Sequence, residues 1–270
     1  MPDTMLLFQM LALLLVIGAF AGVLAGLLGV GGGIVLVPAF FYAFQTLGYG
    51  GPQLMQICLA TSLATIIVTS LRSVMSHNKK GAVDWDILRG WAPGIVVGAL
   101  GGARLAGFVS SPGLGMFFGV FELLVALQLV FAFRPAAHRA VPGRAGLGMA
   151  GTIIGAVSAL LGIGGATLTV PFLLWNRVDI RAAVGTAAAC GLPIALGGAA
   201  GFAMGKIPAG SLQGLSTGFI YWPAVAGIVL TSVLMAPVGA RLAHKLPQKT
   251  LQRVFALLLM MVGLKMVFGL

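Results

Sequence analysis

The chain has 270 residues, 59% of them hydrophobic and only 8% charged, with a formal net charge of +11. A soluble domain carries about 25% charged residues, so this composition excludes an ordinary water-soluble domain. Apolar stretches long enough to cross the bilayer as helix recur along the chain, which also excludes a β-barrel with its short alternating strands.

The first apolar run, Leu6–Leu28, follows Met1-Pro2-Asp3-Thr4. It lacks the basic n-region of a signal peptide and leads straight into a glycine cluster, so it reads as part of the mature protein. Leu54–Leu71, Ile87–Val109, Leu114–Phe133, Ala182–Met204 and Leu251–Leu270 are further runs of crossing length. Gly146–Leu161 and Ala166–Trp175 are short for full spans and suit a hairpin of half-helices dipping into the membrane. The expected fold class is an all-α polytopic membrane protein.

Basic residues concentrate in short connectors, as the positive-inside bias produces, so the net charge does not point to nucleic acid. Cys58 and Cys190 fall inside apolar segments and read as packing residues rather than a disulfide. His77, His138 and His244 are far apart and show no zinc spacing, so neither a metal nor another cofactor is expected.

Two stretches repeat. "GLLGVGGGIVLVP" (Gly26–Pro38) returns as "ALLGIGGATLTVP" (Ala159–Pro171) at an offset of 133. Gly102–Phe131 lies without a gap on Gly239–Phe268 at an offset of 137, with eleven of thirty positions identical. A shared order of features at nearly constant offset indicates internal duplication. The predicted organisation is a first transmembrane repeat over 1–133, a basic cytoplasmic linker over 134–146 and a second repeat over 147–270. Equivalent connectors carry positive charge in one half and lack it in the other. Read as cytoplasmic where basic, they predict inverted topology, with glycine-broken half-helices or re-entrant hairpins near mid-membrane.

Glycine clusters weaken helix by roughly 1 kcal/mol per residue relative to alanine, so two copies invite a functional reading. Gly29, Gly31, Gly32 and Gly33, and likewise Gly162, Gly164 and Gly165, would leave N–H groups exposed at the start of the next helix. Two such termini facing one another would form an anion site. The competing reading is packing alone, which small-xxx-small spacing at Gly94/Gly98/Gly102 and Gly197/Gly201/Gly205 suggests for those stripes.

Thr61, Ser62, Thr65 and Thr186 supply hydroxyls within apolar helices, either for an anion or for their own helix backbone. Arg104 and Arg241 occupy the same place in the two "GAR" copies; they either snorkel at helix ends or gate and attract the anion. Glu122 is the one carboxylate well inside an apolar segment. It is a candidate for carrying a coupling proton, with a buried hydrogen-bonding role or an interfacial position as the alternative. Its repeat counterpart is Leu259, and Lys265 is matched by Gln128.

The paired glycine motifs, the two "GARLA" segments and the closing "LLLMMVGLKMVF" resemble the TauE/SafE family of membrane permeases, the sulfite exporter family. The resemblance covers Gly22 to Phe268, with Ala166 standing where the first half has Gly33. It implies export of small sulfur-containing anions, sulfite or organosulfonates, across the bacterial inner membrane. An anion channel, or a transporter for another small anion such as thiosulfate, is the alternative. No ATPase domain, GxSG serine or HExxH motif occurs, so transport would be secondary or facilitative and no enzyme is expected. The expected partners are a small anionic substrate and the lipid bilayer, with a homodimer as an option and no nucleic acid.

Overall fold

A computed structural model describes residues 4–28, 33–46, 48, 50–131, 141–206, 215–245 and 248–269. Ten helices run in order: α1 (Thr4–Leu28), α2 (Gly33–Thr46), α3 (Leu54–Lys79), α4 (Trp85–Ala106), α5 (Ser111–Val130), α6 (Arg144–Leu161), α7 (Ala166–Trp175), α8 (Ile180–Ala203), α9 (Trp222–Lys245) and α10 (Gln248–Phe268). A two-residue antiparallel pair, β1 (Ser216–Thr217) and β2 (Ile220–Tyr221), precedes α9. Among the described residues six helices are long and apolar enough to cross a membrane. The chain is therefore an all-α polytopic membrane protein.

Local chemistry sets the helix ends. The Asp84 side chain caps α4 by accepting from the N–H groups of Asp86 and Ile87. Ser110 does the same for α5 through Gly113, and Asp179 for α8 through Arg181. Each satisfies donors that a helix start leaves unpaired. At the other kind of end, Gly162 follows α6 at φ +62°. Its N–H bonds the Ala159 carbonyl while that of Ile163 reaches back to Ser158. A residue with a Cβ adopts that left-handed conformation at a cost, which explains glycine there.

Two segments differ from the sequence expectation. α6 has 18 residues, roughly 27 Å of rise, two residues longer than the expected Gly146–Leu161 and close to the length of a full span. Its partner α7, with 10 residues, rises roughly 15 Å, about half the thickness of a hydrocarbon core. The second hairpin thus pairs one full helix with one short one, as α1 and α2 do with 25 and 14 residues. α9 was not among the expected runs; Pro223, Gly227 and Pro237 punctuate its apolar sequence, yet it is continuous helix.

α3 and α8 form the centre. Within their apolar windows 78% and 72% of residues are buried, against 39% or less for the other four candidate spans. Around them α4 lies along α6, α1 along α9, and α5 along α10.

Glycines set the close crossings. A Cβ on Gly94, Gly98 or Gly102 of α4 would strike the backbone of Gly148, Thr152 or Ala156 of α6. This is the small-residue contact expected of that stripe. Gly197 and Gly201 of α8 press on the opposite side of α4, at Val96 and Leu100.

The two outer crossings share their details. Gly18 and Gly22 of α1 rest on Ile228 and Ser232 of α9, and Gly151 and Gly155 of α6 rest on Trp91 and Ile95 of α4. Offsets of 133 and 137 carry the first set of residues onto the second. The duplicated sequence therefore builds duplicated contacts, each joining a helix of one half to a helix of the other.

Candidate functional site

The second glycine break is described in full, and the first from Gly33 onward; Gly29, Gly31 and Gly32 lie outside the described residues. After the Gly162 cap the chain passes through Ile163 and Gly164 to Gly165, which caps α7. The Gly165 carbonyl starts the new helix by accepting from the N–H groups of Leu168 and Thr169. A helix start leaves its first N–H groups without intrahelical acceptors, and α7 starts at this break.

Gly33, where the described part of the first break begins, lies directly on the second break. A Cβ on Gly33 would fall 3.0 Å from the Gly162 carbonyl oxygen and 3.0 Å from the Ile163 Cα. A Cβ on Gly162 would in turn fall 2.9 Å from the Leu59 Cα of α3 and 2.9 Å from the Val37 side chain of α2. On the far side Gly165 sits against Cys190 and Ile194 of α8. The start of α2, the α6–α7 turn and the two central helices meet at one place, and glycine permits that approach.

The other residues singled out from sequence divide by position. Ser62 belongs to this junction: its hydroxyl donates to the Gly162 carbonyl at 2.7 Å. Thr61 accepts at 3.2 Å from the Tyr221 N–H, which leaves the Thr61 hydroxyl proton to be donated. Thr65 donates to the Thr61 carbonyl of its own helix, the bland outcome for a helical hydroxyl. Thr186 stands elsewhere, accepting from the Asp84 N–H at the start of α4. Arg104 and Arg241 are both exposed, Arg104 in the last turn of α4. Cys58 and Cys190 are free thiols buried in α3 and α8.

Glu122 lies on the inward stripe of α5 with Phe118, Gly119 and Ala126 and has no exposed surface. Neither carboxyl oxygen has a hydrogen-bond partner. The phenol of Tyr42 on α2 is within electrostatic reach of it, and the Lys265 ammonium of α10 stands 4.5 Å from the Tyr42 ring centre. An unpartnered carboxyl in apolar surroundings is costly when charged and cheap to protonate.

Sequence reasoning missed three polar groups near the second break. The hydroxyls of Ser158, four residues before Gly162, and of Thr167, two residues after Gly165, are buried without hydrogen-bond partners. So is the Trp91 indole N–H, whose ring centre lies 5.0 Å from that of Phe172 on α7. Proximity to the glycine cluster was the only signal for the two hydroxyls, and nothing in the sequence marked Trp91. The first repeat has Ala25 and Ile34 at the positions of Ser158 and Thr167, so the polar lining belongs to one copy.

Comparison with known proteins agrees with this architecture. The family model described as Sulfite exporter TauE/SafE matches residues 14–266. A probable membrane transporter protein of Haemophilus influenzae is 33% identical, covering 96% of this chain and 99% of its own. YunE of Bacillus subtilis, also a probable membrane transporter protein, is 26% identical over 95% of this chain and 97% of its own. One from Methanocaldococcus jannaschii is 24% identical, covering 95% of each. No solved structure matches the chain significantly. On these matches the chain belongs to the TauE/SafE sulfite exporter family of membrane transporters.

Proposed function

We propose that this protein is a secondary transporter that exports small sulfur-containing anions, sulfite or organosulfonates, across the bacterial inner membrane. The anion is held where the duplicated glycine breaks meet. The observation that carries this reading is the junction of Gly33 with Gly162 and Ile163, beside the unpartnered hydroxyls of Ser158 and Thr167. Non-helical backbone at membrane depth persists where it is buried in protein or lines a cavity. A helix start supplies N–H donors and a partial positive charge, and hydroxyl donors on both sides of the turn would complete the coordination of an oxyanion.

The two halves are inverted in this reading, so that each break is reached from its own side of the membrane. Contacts recurring between α1/α9 and α6/α4 support a two-fold relation between halves, and basic connectors support a cytoplasmic side for the Lys79–Lys80 and Arg181 ends. Glu122 carries the coupling proton. Its burial without partners, at a depth where the matching residue of the other half is Leu259, supports a role that only one half performs.

Counterflow tests the reading. Proteoliposomes loaded with unlabelled sulfite should take up labelled sulfite saturably, and Ser158→Ala/Thr167→Val, which removes two hydroxyls with little change of shape, should raise the KM about tenfold or more, the loss of one to two hydrogen bonds to a charged ligand. Flux that neither saturates nor shows counterflow would replace the carrier with a channel. Exchange of thiosulfate in place of sulfite would change the substrate and leave the site in place.

A further inference from the structure

The connectors at one end of the bundle are nearly free of charge, yet the cations found there are not scattered. Of the sixteen basic residues in the chain, Arg104, Lys206 and Lys265 stand at the end where α3 begins and α4 and α8 finish. All three line cavities that open on either side of residues 50–54. Arg104 and Lys206 share a cavity of about 210 Å³ with Gln53, Gly201, Gly205 and Phe219. Lys265 lines a larger one of about 790 Å³ with Tyr42, Gln45 and Ser111. Among the described residues neither cavity has an aspartate or glutamate in its wall.

From this placement we infer that the Arg104–Lys206 cavity is an anion-binding vestibule on the outer face, taking a small oxyanion of one or two negative charges. Two cations on one cavity, with no carboxylate among its described lining residues, give it a net positive charge that an anion would meet. Alanine, methionine and phenylalanine side chains form much of the remaining wall. Apolar walls strengthen the field of the two cations and focus it on the opening. The pair is chemically suited to an oxyanion: a planar guanidinium offers a two-pronged contact and an ammonium a mobile point charge. The cavity admits an ion of sulfite or sulfate size with some of its water.

The location sharpens the argument. The positive-inside bias depletes cations from short outer connectors, and Lys206 is the one charge between α8 and α9. Arg104 has its repeat counterpart in Arg241, at the other end of α9, so each half carries an arginine toward a different face. The vestibule receives the anion as it leaves the junction of the glycine breaks and raises its local concentration at the outer mouth. This role rests on the export reading and on the inverted topology; the binding of an oxyanion in the cavity does not.

The test separates the two. The purified full-length chain is melted with sulfate and with sulfite, against chloride at matched ionic strength. Arg104→Gln/Lys206→Gln should lose at least about half of an oxyanion-induced rise in melting temperature that the wild type shows, since each phosphate-like contact contributes separately. Right-side-out and everted vesicles then report on the two faces. The outer-face KM for sulfite should rise about fivefold or more in the double variant, and the inner-face KM should stay within about twofold, as expected for loss of local steering. An unchanged oxyanion shift in the double variant overturns the site. An equal rise of KM on both faces overturns the vestibule role. A shift produced by short-chain phosphatidylglycerol but by neither oxyanion would assign the cavity to a lipid headgroup and overturn the free-anion reading. A wild type that exchanges no sulfite but shows the Arg104- and Lys206-dependent sulfate shift would remove the export reading and leave the anion site standing.

Discussion

The Ser62 hydroxyl and the Gly162 carbonyl lie 2.7 Å apart although 100 residues separate them in the chain, and their hydrogen bond fixes α3 to the turn between α6 and α7. Both residues are fully buried or nearly so. Removing the donor strands a carbonyl in a place water does not reach. Ser62→Ala should therefore destabilise the protein by about 1–3 kcal/mol, the cost of a buried acceptor left unpaired. Thermal unfolding in detergent measures it. A variant as stable as the wild type would show that the turn holds its place without this bond.

Gly162 itself allows a comparison between strain and contact. Its φ of +62° and that of Gly48, +75°, are both left-handed, and an added Cβ is penalised at each by about 1–2 kcal/mol. At Gly48 nothing lies within 4 Å of the new atom, whereas at Gly162 it meets Leu59 and Val37 at 2.9 Å. Gly162→Ala should thus lower the melting temperature well beyond Gly48→Ala and abolish sulfite counterflow. Equal effects at the two sites would mean that the junction tolerates a shift.

Much of this junction was readable in the sequence because its signals are local. A glycine cluster inside an apolar run, copied at a fixed offset, marks a break wherever it occurs, and Gly98 or Gly201 declares a close contact by its spacing. The partners were not readable. Nothing near Gly33 in sequence says that it rests on Ile163, and Arg104 gives no sign that it shares a cavity with Lys206. Ser158 and Thr167 escaped notice for a different reason. A hydroxyl in an apolar helix normally bonds its own backbone, as Thr65 and Thr152 do, and only the structure shows two that do not. α9 was hidden by its prolines, which a helix in a bundle accommodates when neighbours satisfy the freed backbone.

Glu122 offers a test in which stability and function move in opposite directions. Its counterpart in the other half, Leu259, is buried with 1% exposure, so leucine already fits the equivalent place. Glu122→Leu exchanges an unpartnered carboxyl for a side chain that needs no partner and should leave the melting temperature unchanged or raise it. The same variant, and Glu122→Gln, should flatten the dependence of sulfite counterflow on pH if the carboxyl carries the coupling proton. A pH profile that survives both substitutions removes Glu122 from coupling, and a sharp loss of stability in Glu122→Leu would give it a structural role instead.

The orientation of the halves can be read with thiol chemistry, because the chain supplies its own background. Cys58 and Cys190 have no exposed surface, so a membrane-impermeant maleimide should leave the wild type unlabelled in intact cells. Single cysteines at the exposed positions Gly50 and Ser110 adjoin the start of α3 and of α5, the end that carries Arg104 and Lys206. These should label from outside. Cysteines placed at Lys80 and Arg181, exposed beside the end of α3 and the start of α8, should label only after the membrane is opened. In the first half the connector before the third helix would then be outside, and in the second half the connector before its equivalent, α8, would be inside. That reversal is what inversion means. Labelling of Gly50→Cys and Arg181→Cys from the same side would make the halves parallel, and the two glycine breaks would then approach the junction from one face.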